Sequence, residues 1–137
     1  MANPMQLFEI SPEEIDRIVR LFYARIRKHE VLGPVFSAHI PDADWPSHEA
    51  KIASFWRNAI LKERSYSGNP MRVHMQTSDV QPGHFTDWLA LFDDVLVDQL
   101  ETDKAQAFSA LAHRIGRGLR LGLEHVRMPK DVPPILR

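Results

Sequence analysis

The chain has 137 residues, of which 44% are hydrophobic and 26% charged, and its formal net charge is -1. That composition excludes a disordered chain, and the near-zero charge removes any bulk attraction to nucleic acid or to an anionic membrane. No cysteine is present, so disulfide scaffolds, thiolate-bound metals and cysteine nucleophiles are excluded as well.

The length suits one domain spanning 1–137, and such a domain buries roughly two-thirds of the surface of its unfolded chain. The opening MANPMQLFEI lacks both a basic leader and a long apolar stretch, which makes the cytoplasm the expected compartment. The ends, 1–10 and the Pro-rich stretch 128–137, are expected to be flexible.

Helical periodicity dominates the chain. Ser11, Pro12 and Glu14 form an N-terminal signature of cap, first helical residue and capping-box acid. Ile15, Ile18, Val19, Phe22, Tyr23 and Ile26 then recur at helical spacing, which predicts an amphipathic helix running to about His29. Gly33 and Pro34 predict a break or turn, with Val35 and Phe36 resuming apolar character beyond it. A second helix is expected from near Pro46, its inner side made of Ile52, Phe55, Trp56, Ala59 and Ile60. His48 lies one turn before Ile52, on the same face.

Asn69 and Pro70 can start a short helix that ends near His74. Gln81 and Pro82 precede a third major helix carrying Phe85, Trp88, Leu89, Phe92, Val95 and Leu96. Thr102 starts a fourth, with Ala105, Phe108, Leu111, Ala112, Ile115, Leu119 and Leu123 on one face, and Gly116 and Gly118 permitting close packing. Strand-like alternation never persists, and neither a repeat nor a linker is visible. The expected class is all-α, as a bundle or a globin-like arrangement.

Common catalytic signatures are missing. There is no GxGxxG, GxxxxGK[ST] or HExxH sequence. Ser47, His48 and Glu49 are triad residue types, but neighbours along one helix do not meet as a triad. His29, His39, His84, His113 and His125 show no metal-ligand spacing. The more informative pattern is a dispersed set of polar-tipped rings, Tyr23, His48, His74 and Trp88, among Phe22, Phe36, Ile52, Phe55 and Trp56. Buried Tyr and Trp need partners for their O–H and N–H groups. A ligand cavity supplies such partners, and so do backbone carbonyls.

In order and spacing, FYARIRK at 22–28, LGPVF at 32–36, HEAKIASFW at 48–56, GNPMRVH at 68–74 and FTDWLALF at 85–92 resemble the truncated haemoglobin family, most closely its third group, over nearly the whole chain. The resemblance implies a shortened globin fold, two crossed helix pairs around one non-covalent haem b. It implies that His74 is the iron ligand, that Tyr23, His48 and Trp88 are the polar residues on the opposite side, and that Phe36 packs against the haem. Ile52, Phe55 and Trp56 resemble the remaining cavity wall. Arg72 and Lys51 are candidate partners for the haem propionates by charge. His48 has four open roles: controlling ligand access, contacting a water, coordinating iron as an internal ligand, or simply swinging into solvent.

The function implied by the resemblance is reversible binding of O2, NO or CO, with Tyr23 and Trp88 stabilising the ligand by hydrogen bonds. NO dioxygenation or peroxidase-like chemistry, either needing a separate reductase, is an alternative use of the same pocket. A gas or redox sensor and a haem-free helical interaction protein are two others.

Overall fold

Ser11 caps the first helix. Its backbone is extended, its hydroxyl accepts from the Glu14 N–H at 3.1 Å, and the Glu14 carboxylate accepts from the Ser11 N–H at 3.0 Å. That backbone bond holds the Glu14 carboxyl below its usual range, helped by Lys104 against the opposing effect of burial. The computed structural model describes residues 6–63 and 80–126. In it, helix α1 covers Pro12–Ile26 and buries all six of its predicted stripe residues.

α1 ends at Ile26, one turn earlier than the expected His29. The chain then turns, and His29 Nδ1 accepts from the N–H groups of Val31 at 3.1 Å and Leu32 at 3.0 Å. These donors belong to the start of α2, Leu32–Ser37. The expected break at Gly33 and Pro34 is therefore corrected: both residues lie inside the first turn of this short helix. A proline there forfeits nothing, because the first N–H groups of a helix have no intrahelical partner. Gly33 is required by proximity, since a Cβ at this position would stand 3.0 Å from the Arg27 carbonyl oxygen and 3.2 Å from that of Ile26.

A 3-10 turn at Asp42–Asp44 leads into α3, Trp45–Leu61. Lys62 closes α3 in the left-handed conformation, φ 63°, with its N–H on the Asn58 carbonyl at 3.1 Å. After the undescribed stretch, α4 covers His84–Gln99 and α5 covers Thr102–Val126. His84 Nδ1 accepts from the Gln81 N–H at 3.0 Å and fixes the chain as it enters α4.

The helices form two antiparallel pairs. In the first, Arg27 at the end of α1 pairs with Glu49 near the start of α3 at 2.8 Å, while Asp16 near the start of α1 pairs with Arg57 further along α3. In the second, Thr86 accepts from Arg120 at 3.0 Å and Asp93 accepts from the Ser109 hydroxyl at 2.6 Å, so α4 and α5 run in opposite directions. The pairs meet where α1 lies against α4, and Phe22 touches Phe92 with ring centroids 4.9 Å apart. Phe92 is the hub of this junction. Its ring stacks on Trp88 at 5.1 Å and on Trp56 at 5.5 Å, and it meets Phe108 edge-on at 5.2 Å. The segment before α1 packs back onto the core, with Ile10 buried and the Leu7 N–H on the Ile60 carbonyl at 2.9 Å. No strand occurs among the described residues, and none of their helices is long and apolar enough to cross a membrane.

Candidate functional site

α1 and α3 bring Tyr23 and His48 together. Tyr23 projects from the inner stripe of α1 and is 3% exposed. His48 sits in the first turn of α3, its ring perpendicular to that of Tyr23 with centroids 5.0 Å apart. Phe36 of α2 completes the group, 5.8 Å from Tyr23 and 6.3 Å from His48. Trp88 enters from α4, edge-on to Phe22 at 5.1 Å. Its indole lies close enough to Tyr23 to influence the phenol. Three of the predicted polar residues thus converge from three helices.

An indole N–H can only donate, whereas a phenol can both donate and accept. Burial pushes the Tyr23 hydroxyl well above the ordinary phenol range, and the Glu49 charge acts the same way against the opposing influence of Trp88. The phenol therefore stays protonated as a donor.

His48 is the complementary group. Burial pushes its imidazole down to about 4, and the Lys51 charge adds to the effect. The ring is neutral at neutral pH. Its Nε2 is buried without a hydrogen-bond partner, alone in this respect among the side-chain atoms of the described residues. A buried polar atom left unpaired costs about 1–3 kcal/mol, and sites that carry one are sites where a partner is expected.

The depressed folded-state value has a sign consequence. Below the ordinary histidine value of 6.5 the unfolded chain takes up a proton that folded His48 refuses until about pH 4. Stability from this residue is complete above pH 6.5 and is lost as pH falls toward 4. Urea midpoints measured across this window should fall less steeply for His48→Leu than for the parent. Parallel curves would show that His48 titrates as an exposed group.

The apolar wall is only partly covered by protein. Ile52 and Phe55 follow His48 on the same face of α3, and both are half-buried, as are Phe36 and Trp88. Trp56 is different: it is 2% exposed and packs on Phe92 and Phe108, behind the wall rather than on its surface. The half-buried apolar residues Phe36, Ile52 and Phe55 beside Tyr23, His48 and Trp88 would suit a flat, largely hydrophobic group such as haem, and the unpaired Nε2 would suit a polar partner brought with it. Lys51 is exposed on α3. The expected iron ligand His74 and the expected propionate partner Arg72 lie outside the described residues. Among the described residues, no three His, Asp or Glu side chains gather as a metal-ligand set.

One ring of the cluster carries no expectation from the sequence. Trp45, the first residue of α3, is 2% exposed and lies 5.9 Å from Tyr23 and 5.6 Å from His48. Its spacing of three residues before His48 was the available signal, but it lies just ahead of the helix start expected near Pro46. A separate groove of about 630 Å³ between α4 and α5, bordered by Asp93, Leu96, Ser109 and His113, shares no residue with this cluster. Within it, Asp93 is bonded to Ser109 and also to His113 at 2.7 Å.

Two antiparallel helix pairs around a Tyr–His–Trp cluster and an apolar wall define a globin of shortened form. No family model matches the sequence. The chain is 35% identical over 94 residues to the group 3 truncated hemoglobin ctb of Campylobacter jejuni, an alignment covering 67% of this chain and 74% of that protein. The crystal structure of group III truncated hemoglobin from Campylobacter jejuni superposes with a TM-score of 0.80 at 30% identity, over 87% of this chain and 95% of the other. The chain belongs to the group 3 truncated haemoglobin family.

Proposed function

We propose that this protein binds haem b non-covalently and uses it to hold a diatomic gas, O2 foremost, with NO and CO as further ligands. The observation that carries the reading is the buried, unpaired Nε2 of His48 against the buried ring of Tyr23, beside half-buried Phe36, Ile52, Phe55 and Trp88. Family membership supports it, since the relatives are named hemoglobins.

Haem, when bound, supplies the iron that takes up the gas, and His74 is the residue assigned to hold it. Phe36, Ile52 and Phe55 provide apolar contact, with Trp56 behind them. Lys51 and Arg72 are assigned to the propionates, where opposite charge at the protein surface favours pairing. The protein's own contribution to gas binding is a buried donor. Tyr23 stays protonated and offers its hydrogen to an acceptor in the pocket, with Trp88 close by. His48, neutral, either donates from Nε2 or accepts there according to tautomer.

The deciding measurement is the visible absorption spectrum of the purified, haem-loaded protein in ferric, reduced and CO-bound states. A Soret band that shifts between the three states, and that is lost or disordered in His74→Ala, is the expected result. Folded protein that shows no saturable Soret band and no CO response would overturn the proposal.

A further inference from the structure

No hydrogen bond to Nε2 holds the His48 imidazole inside the pocket. Its placement comes from the rings around it: Tyr23 and Trp45 meet it nearly at right angles, at 5.0 and 5.6 Å. Trp45 in turn is buried although its neighbours Asp44 and Pro46 are exposed. Tyr23, Phe36 and His48 pack against it, and Arg27 lies over it with its guanidinium carbon 4.7 Å from the centre of the indole ring. Arg27 is itself fixed from two directions. Its Nη2 donates to Glu49 at 2.8 Å, and its Nε donates to the Tyr23 carbonyl at 3.4 Å. Glu49 is the residue next to His48. Arg27 thus ties the end of α1 to the first turn of α3, over one of the three rings, Tyr23, Phe36 and Trp45, that surround His48.

We infer that Arg27 and Trp45 form a latch that keeps the His48 imidazole in the pocket and thereby limits access of gas ligands to it. Arg27 touches no ligand. It acts through Trp45 and Glu49 and is a positioning residue. The inference rests on the reading of the cluster as a gas-binding pocket only for its second half. Retention of His48 is a property of the polypeptide alone.

The test uses the haem-loaded protein with Arg27→Met, which keeps a long side chain over Trp45 but removes the charge and its donors. Trp45→Leu is the second variant and Arg27→Lys the conservative one. The first readout is the rate at which diethyl pyrocarbonate modifies His48, followed by peptide mass spectrometry with the exposed His125 as internal reference. The His48 rate should rise about three- to tenfold in Arg27→Met, the factor expected from losing an exposed cation–π contact and an ion pair. His125 should not change, and Arg27→Lys should restore part of the protection. The second readout is CO association after flash photolysis. It should quicken in Arg27→Met, and Arg27→Met should add nothing once His48→Ala is present.

Unchanged His48 reactivity in Arg27→Met overturns the latch, and so does a rise shared equally by His125, which would signal general loosening. Faster modification of His48 with no change in CO association removes the access role. A protein that takes up no haem would defeat the gas-binding proposal while the modification rate still decides whether the latch exists. Should Trp45→Leu fail to fold, Arg27→Met alone gives the answer.

Discussion

Tyr23→Phe is expected to raise the rate of O2 loss from the reduced, haem-loaded protein by about 10- to 100-fold, the range set by removing one hydrogen bond to a charged or strongly polarised acceptor. The substitution deletes a single oxygen and leaves the ring contacts of Tyr23 with Phe22, Phe36, Trp45 and His48 available. Packing should therefore survive and the change should fall on ligand retention. Trp88→Phe should give a smaller increase. Its indole lies close to Tyr23, and without its N–H the phenol still carries a hydrogen to donate. Stopped-flow displacement of O2 by CO measures both rates. Equal rates for parent and Tyr23→Phe would show that the Tyr23 hydrogen does not reach the ligand.

The largest stability effect is expected at Phe92. Its ring is fully buried and touches Phe22, Trp56, Trp88 and Phe108, so it joins the two helix pairs. Phe92→Ala should lower the unfolding free energy by about 3–5 kcal/mol, as for other large aromatic truncations in cores. That is a large share of the roughly 5–15 kcal/mol typical of a domain. The loss should also loosen Trp88, which stacks on Phe92 at an interplanar angle of 14°, and so weaken gas retention in whatever protein remains folded. Urea unfolding checks the first effect. A cost below about 1 kcal/mol, the size of an ordinary surface change, would mean that α1 and α4 are held together elsewhere.

Local chemistry carried the helices. The Ser11–Glu14 box lies within four consecutive residues, so its partners are legible without knowing the fold. The α1 stripe is equally local: period 3.6 places Ile15, Ile18, Val19, Phe22, Tyr23 and Ile26 on one side whatever they pack against. The same reasoning misjudged Gly33 and Pro34. Both are breakers by propensity, but propensity is a weak prior beside context. In place, Pro34 needs no N–H, and Gly33 is demanded by the carbonyls of Ile26 and Arg27, which come within reach only after the chain has turned.

The site divides along the same line. Residue types and spacing within the sequence were enough to select Tyr23, His48, Trp88 and Phe36 and to suggest the family, because each sits in a short motif with a recognisable order. Trp45 was not legible, since its burial depends on Tyr23, Phe36 and Arg27, which come from outside its own helix. Nor could the sequence show that Nε2 of His48 goes unpaired. The sequence by itself determined which stretches are helical and which side chains face inward, because those depend on contacts a few residues apart. Only the tertiary structure decided which polar atoms meet and which are left without a partner. That outcome depends on the approach of α1, α3 and α4 to within hydrogen-bonding distance, and no local period encodes it.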